Sequence, residues 1–135
     1  MKPLKIDATE FSPKIHFDSQ SHVFEIAGHS RPEDVRDFYY PVINWLEEFA
    51  ESEIKYKNEY DENPLKVKFK MEYFNSSSAK FLLDILVEIN KLAKKGINTK
   101  VEWYFEEGDD DMQEVGEEFS EMVSLPFKYI EMKTD

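Results

Sequence analysis

The chain contains no cysteine, and this absence excludes several classes of site. Disulfide bonds, zinc sites built on thiolates and a cysteine nucleophile all require a thiol. The histidines, His16, His22 and His29, do not have the spacing of a helical metal site. With only four glycines, the chain also has no glycine-rich loop for a nucleotide phosphate. We therefore expect neither a metal nor a cofactor.

Basic residues are scarce relative to acidic ones. The chain has 17 lysines and arginines against 29 aspartates and glutamates, a formal net charge of −12. An acidic surface repels the phosphates of nucleic acids and the headgroups of anionic membranes. We therefore expect no nucleic acid and no membrane partner. A protein partner with a basic face fits this charge better.

Long hydrophobic runs are missing as well. No apolar run approaches the roughly 20 residues that a membrane-spanning helix requires. The first residues lack the apolar core of a secretory signal, since Asp7 and Glu10 interrupt it. We expect a soluble, cytoplasmic protein.

The composition is that of a folded domain. Hydrophobic residues make up 41% of the 135 residues and aromatic residues 15%, which is enough to build one core. We find no internal repeat, linker or low-complexity segment. The sequence therefore predicts a single domain over residues 1–135.

Apolar and polar residues alternate in several short segments, a pattern typical of half-buried strands. The alternation predicts strands at residues 4–6, 15–17, 22–27, 65–74, 101–105 and 126–132, the second and third forming a hairpin. Helical spacing of apolar residues predicts helices at about 31–49, 79–95 and 112–123. The order β-β-β-α-β-α-β-α-β indicates an α/β fold with a mixed sheet and three main helices.

Three details of the first helix follow from local rules. Ser30 fits the N-cap, with Pro32 in the first turn and Glu33 completing a capping box. Pro41 is expected to kink the helix or to divide it in two. Residues 51–64 are charged and end in Asn-Pro, which favours a long loop or a frayed helix end.

The segment 73–80 joins the clearest strand to the second helix through three consecutive serines, Ser76, Ser77 and Ser78. Either Asn75 or Ser76 fits the N-cap. The free N–H groups of the first turn and the helix dipole favour negative charge at this point. A phosphoryl group on one serine would add about −1.5 to −2 charge there, within reach of Lys80.

The simpler interpretation of the three serines is that they only cap the helix, in which case the domain is a constitutive adaptor. The second helix also carries two apolar faces, and Phe81 and Ile85 belong to the second of them. A sheet can cover only one apolar face of a helix, so the second face favours a partner-binding surface beside the serines. Alternatively, residues 51–64 or the last helix cover that face.

Ser77 and Lys80 form a Ser-x-x-Lys pair at a helix start, the arrangement of a serine acylase with a lysine base. The companion motifs of that class are absent, so a small serine hydrolase is the alternative from a different functional class. The acidic turn at 106–111 lacks the spacing of a calcium loop. It is expected to cap the third helix, and the functional alternative is docking of a basic partner.

Short motifs in order along nearly the whole chain resemble one known family. They are Ile6-Asp7-Ala8-Thr9 with Ser12-Pro13, Gly28-His29-Ser30-Arg31-Pro32-Glu33, Phe38-Tyr39-Tyr40-Pro41 with Trp45-Leu46, Tyr73-Phe74-Asn75-Ser76-Ser77-Ser78-Ala79-Lys80, Val101-Glu102-Trp103-Tyr104, and Asp110-Asp111-Met112 with Gly116-Glu117. With these motifs the chain resembles the SiaC family of bacterial regulatory phosphoproteins, which are similar to STAS domains of the anti-sigma-factor-antagonist type.

The resemblance implies a non-catalytic, STAS-like switch domain. It implies a serine/threonine kinase and a phosphatase that act on the domain, and a partner that is released on phosphorylation. In one branch of the family that partner is a diguanylate cyclase, activated by the unphosphorylated form. The implied phosphate acceptor is the residue after the asparagine, Ser76, where the family usually has threonine. Ser77 and Ser78 are alternates, and Asn75, Lys80, Phe81 and Ile85 are the expected partner-binding residues.

Overall fold

The computed structural model describes residues 1–133. In chain order its elements are β1 (Leu4–Ile6), β2 (Lys14–Asp18), β3 (Val23–Ser30), α1 (Val35–Glu53), a 3₁₀ helix (Ile54–Tyr60), β4 (Leu65–Phe74), α2 (Ser76–Lys94), β5 (Thr99–Glu106), α3 (Asp110–Val123) and β6 (Phe127–Met132). The predicted order of strands and helices is confirmed. The fold class is also confirmed as α/β with three main helices.

The six strands form one mixed sheet in the order β1-β2-β3-β4-β5-β6. β1, β2 and β3 pair antiparallel, which confirms the predicted hairpin. β3 to β6 pair parallel, each with the next strand in the chain. Because every crossover steps in the same direction and such crossovers are right-handed, α1, α2 and α3 all lie on one face of the sheet. Over residues 1–133, the opposite face carries no helical layer.

The alternation in β4 decides which face of the sheet becomes the core. Leu65, Val67, Phe69 and Met71 are buried beneath the helices, while the lysines between them point to the opposite, open face. Leu65, Val67 and Phe69 face Thr99, Val101 and Trp103 across the parallel ladder to β5. The pattern that predicted a strand thus also orients it, since a one-residue slip would bury the lysines.

Trp103 lies at the centre of the core on the α3 side. Its indole stacks between Phe69 and Phe127, with ring centroids 5.6 and 5.8 Å away. The indole N–H donates to the Met112 carbonyl at 2.9 Å, so the buried polar atom is satisfied. Gly116 of α3 packs closely against the same ring, because a Cβ atom at that position would come within 2.6 Å of the indole.

The start of α1 differs from the prediction. Asp34, not Ser30, is the N-cap, and its carboxylate accepts from the Asp37 N–H at 3.1 Å. Ser30 is the last residue of β3, where it pairs with Phe74 of β4. Pairing in the sheet keeps Ser30 extended, and the helix therefore begins after it.

Two further predictions about this region each offered two alternatives, and the structure excludes one of each. α1 is not divided at Pro41, because buried side chains on both sides of the proline hold one continuous helix against the core. Residues 51–64 are not one long loop: α1 continues to Glu53 and the 3₁₀ helix follows, which agrees with the alternative of a frayed helix end. Tyr60 fixes this segment, since it is 1% exposed and stacks on His22 at 5.3 Å.

Substituting Gly116 by alanine tests the close contact between α3 and Trp103. Alanine favours a helix by up to about 1 kcal/mol over glycine. The added methyl group would nevertheless overlap the indole, and such overpacking typically costs about 1–3 kcal/mol. We expect Gly116→Ala to lower the free energy of unfolding in urea, whereas Glu117→Ala at the exposed neighbouring position should leave it nearly unchanged. A Gly116→Ala variant as stable as the parent would contradict this packing.

Candidate functional site

The junction between β4 and α2 is built around Asn75. Its backbone is extended, with φ −84° and ψ 174°, and its side-chain oxygen accepts from the Ser78 N–H at 2.9 Å. The Asn75 carbonyl accepts the next helical N–H, from Ala79, at 3.0 Å. Of the two N-cap candidates, Asn75 and Ser76, the structure therefore selects Asn75. Ser76 becomes the first residue of α2.

Ser78 is fully buried at 0% exposure. Its hydroxyl donates to the Ser30 carbonyl at 3.0 Å and accepts from the Ser30 hydroxyl at 2.8 Å. The Ser30 hydroxyl proton is thus already used, so the Tyr39 O–H must be the donor in its 2.5 Å contact with Ser30 Oγ. The three hydroxyls form one directed chain. Ser78 is consequently unavailable to a kinase unless the helix start opens.

Tyr39 is suited to the donor role in this chain. Burial raises the pKa of Tyr39 to about 12, although the neighbouring hydroxyls of Ser30 and Ser78 act in the opposite direction. The phenol therefore keeps its proton at neutral pH. Because Tyr39 belongs to α1, Ser30 to β3 and Ser78 to α2, this hydroxyl chain joins three elements.

Ser76 and Ser77 are exposed, unlike Ser78. As the first two helical residues, they have N–H groups for which α2 itself offers no acceptor. The first turn of α2 contains no acidic residue. Lys80 is exposed one turn further on, with its ammonium 5.5 Å from the Phe81 ring centroid. A negative group on Ser76 or Ser77 would thus meet free N–H groups and the positive end of the helix dipole.

The prediction that Phe81 and Ile85 form an exposed apolar face is wrong. Phe81 is 8% exposed and Ile85 0%. Phe81 stacks on Tyr39 of α1, with centroids 5.7 Å apart and ring planes 7° from parallel. The element that covers Phe81 is therefore α1, which differs from both predicted covers, residues 51–64 and the last helix, because consecutive crossovers lay α1 and α2 side by side on the sheet. Phe81 and Ile85 support the junction from below and do not lie on the surface.

Four exposed residues that the sequence did not single out lie at the same edge of the sheet: Phe11, His29, Arg31 and Tyr73. We call them the edge cluster. The Arg31 guanidinium lies 4.9 Å from the Phe11 ring centroid, and the Arg31 N–H donates to the Phe11 carbonyl at 2.8 Å. His29 contacts the Tyr73 ring at 6.5 Å between centroids.

The edge cluster adjoins the serines through the backbone. Arg31 and His29 flank Ser30, whose carbonyl accepts from the Asn75 N–H at 3.1 Å. Phe11 is 48% exposed and Tyr73 46%, which is high for such large rings. Tyr73, just before the serines in the sequence, was a usable signal, since tyrosine is enriched at interfaces. Only the folded chain brings Phe11, from the β1–β2 connection, beside Arg31.

The arrangement does not favour the serine hydrolase. A lysine general base must be desolvated to lose its proton at neutral pH. Lys80 and Ser77 are both exposed, and the Lys80 ammonium lies over Phe81. The geometry therefore offers no activated nucleophile at Ser77.

The acidic turn has a structural role. Asp109 caps α3, its carboxylate accepting from the Met112 N–H at 3.1 Å, and Asp110 and Asp111 lie in the first turn. This confirms that the turn caps the third helix. Within residues 1–133, no group of three or more potential metal-ligating side chains is arranged to hold an ion. Over the same residues, no helix is both long enough and apolar enough to cross a bilayer.

Removing the Tyr39 hydroxyl tests the directed hydroxyl chain. Tyr39→Phe deletes the donor to Ser30 while keeping the ring stacked on Phe81, and a buried hydrogen bond is worth about 0.5–1.5 kcal/mol. We expect a loss of about that size in urea unfolding. We also expect faster hydrogen exchange at the Asn75 amide. Tyr40→Phe, at the adjacent exposed position, should change neither quantity. Equal stability of Tyr39→Phe and the parent would show that the chain does not hold the junction.

Comparison with known proteins places the chain among regulatory proteins. Residues 6–132 match the SiaC family of regulatory phosphoproteins. A protein of Pseudomonas aeruginosa (strain UCBPP-PA14) is 29% identical over 127 residues, which cover 94% of each chain. The fold matches apo-SiaC from P. aeruginosa with a TM-score of 0.78 at 28% identity, covering 96% of this chain and 99% of that one.

A second solved structure shows P. aeruginosa SiaC in complex with the diguanylate cyclase SiaD, for which SiaC is the activator. It matches with a TM-score of 0.80 at 28% identity, again covering 96% of this chain and 99% of the other. The agreement in fold extends the family match over almost the full length of both chains. The chain belongs to the SiaC family of regulatory phosphoproteins.

Proposed function

We propose that this protein is a non-catalytic cytoplasmic switch whose unphosphorylated form binds and regulates an effector, and that phosphorylation of Ser76 releases the effector. A serine/threonine kinase adds the phosphoryl group and a phosphatase removes it. The observation that carries the proposal is the exposed first turn of α2, held in place by the buried Ser78 beneath it.

The geometry narrows the choice of acceptor among the three serines. Ser78 is buried and hydrogen-bonded, which leaves Ser76 and Ser77 for a kinase. Ser76 directly follows the N-cap, the position that the family resemblance assigns to the phosphate acceptor. A phosphoryl group there would gain hydrogen bonds from the first-turn amides. It would also add negative charge to a first turn that contains no acidic residue.

The effector-binding surface we propose comprises Asn75, Lys80 and the edge cluster. Asn75 and Lys80 flank the two serines in the chain, and the edge cluster adjoins them through the Ser30–Asn75 hydrogen bond. The surface includes exposed aromatic rings and an arginine, the residue types that dominate binding energy at interfaces. Phe81 and Ile85 contribute indirectly, by fixing α2 against α1. A charge added at the centre of such a surface weakens binding more than one at its rim, because the centre is desolvated.

The effector we propose is a diguanylate cyclase. Support comes from the related SiaC, solved in complex with the diguanylate cyclase SiaD. A regulator that contacts its enzyme through a compact surface needs no catalytic group of its own, which agrees with the exposed, unactivated Ser77 and Lys80.

Phosphosite mapping tests the kinase step. We expect a cognate kinase and ATP to modify the protein at Ser76, read out by mass spectrometry. Ser76→Ala should abolish the modification, while Ser77→Ala should leave most of it. Exclusive modification of Ser77, or none in residues 76–78, would refute the assignment of Ser76.

Binding by two Ser76 variants tests the release step. We expect Ser76→Ala to bind the effector as the parent does. Ser76→Asp should weaken binding about tenfold or more, the effect of about 1.4 kcal/mol of added repulsion. Ser124→Asp, at the exposed end of α3, is the matched control for one added charge and should bind normally. Equal binding by Ser76→Ala and Ser76→Asp would instead indicate a constitutive adaptor.

A further inference from the structure

The open face of the sheet holds a second candidate site, far from Ser76. Where β4, β5 and β6 begin, Lys66, Lys100 and Lys128 line a groove of about 290 Å³, in which three ammonium groups outnumber one carboxylate, that of the mostly buried Glu102. We call it the lysine groove. We propose that the lysine groove binds an acidic polypeptide segment of a partner protein, and that this binding does not depend on phosphorylation.

The register of the sheet concentrates positive charge in this groove. Lys66 and Lys100 are direct neighbours across the parallel β4–β5 ladder, and both are exposed. Neither forms a salt bridge with any residue of the described range 1–133. Like charges facing each other across strands destabilise a sheet. The fold therefore places Lys66 and Lys100 in an unfavourable like-charge pair, and a bound acidic group would reduce their repulsion.

The other charges on this face are largely matched. Glu25 accepts from Lys14 at 2.5 Å and from Lys70 at 2.9 Å. Glu102, which is 8% exposed, lies in register between Lys68 and Lys128. The unmatched excess therefore lies at Lys66 and Lys100, in a chain whose net charge is −12. This contrast is the complementarity on which the choice of an acidic partner rests.

The walls of the groove favour a polypeptide over a nucleic acid. The exposed Pro126 and the partly exposed Phe127 line it beside the lysines, which suits aliphatic side chains placed between acidic ones, whereas the Val101 side chain is buried in the core. A nucleic acid would need exposed aromatic rings on which to stack its bases. The tyrosine of this face, Tyr104, is covered by the Lys70 ammonium at 4.8 Å. The net charge would also repel a long polyanion.

The position of the groove separates it from the switch. Lys66 lies at the start of β4 and Ser76 follows its end. At about 3.3 Å per residue, the part of β4 from Lys66 to Phe74 alone spans roughly 26 Å, several Debye lengths at physiological salt. Phosphorylation of Ser76 should therefore leave the groove unaffected, and the proposal does not rest on the switch function.

Fluorescence anisotropy with a short labelled peptide of alternating glutamates and leucines tests the proposal on the full-length protein. We expect binding that weakens as salt is raised. Lys66→Glu/Lys100→Glu should weaken it at least tenfold, whereas Arg36→Glu/Lys133→Glu, with the same charge change at the opposite end of the strands, should stay within about twofold. Ser76→Asp should bind the peptide as the parent does.

Three results would overturn the inference: no binding by the parent, equal losses in both double variants, or tighter binding of a single-stranded oligonucleotide of equal length. Melting curves give an independent check. Lys66→Glu alone should raise the melting temperature, because it turns the like-charge pair with Lys100 into an opposite-charge pair. It should also weaken peptide binding. A lower melting temperature would contradict the strain assigned to this pair.

Discussion

Ser30 connects the sheet to two helices through hydrogen bonds. Its carbonyl accepts from the Asn75 N–H and the Ser78 hydroxyl, and its own hydroxyl links Ser78 to Tyr39. All three hydroxyls are buried and satisfied, and a satisfied polar network in a core specifies one arrangement of its elements. The first turn of α2 is therefore positioned before any partner or kinase arrives.

The hydrogen bonds of Ser30 give different roles to the three consecutive serines at the start of α2. Ser78 serves the fold, because its hydroxyl is committed to Ser30. Ser76 and Ser77 remain at the surface, above a rigid base made by Tyr39 and Phe81. A site prepared in this way loses little entropy when it binds, which favours a sharp response to a single added charge.

Much of the fold was predictable because its signals are local. The alternation in β4 revealed both the strand and its buried face, and the order of elements indicated a mixed sheet. Long-range contacts were not predictable. The apolar stripe containing Phe81 and Ile85 has a helical period that says nothing about which element covers it, and α1 does so. Ser30 obeys the local rule for an N-cap, yet pairing with Phe74 retains it in β3.

The junction was predictable as a helix start, but the different roles of its serines were not. The local sequence predicts neither the burial of Ser78 nor the contact between Phe11 and Arg31, because both depend on contacts between distant segments. The sheet register likewise brings Lys66 beside Lys100, and their positions 34 residues apart give no local sign of it. The distribution of charge over the surface of this acidic protein therefore depends on the fold as well as on the composition.

The most direct test of the central claim is a calorimetric titration of the diguanylate cyclase effector with protein that carries phosphoserine at position 76. The same sample is titrated again after a phosphatase has removed the phosphoryl group. The account predicts little or no binding before the treatment and full binding after it. Equal affinity in the two titrations would contradict the claim that charge at the start of α2 controls the partner.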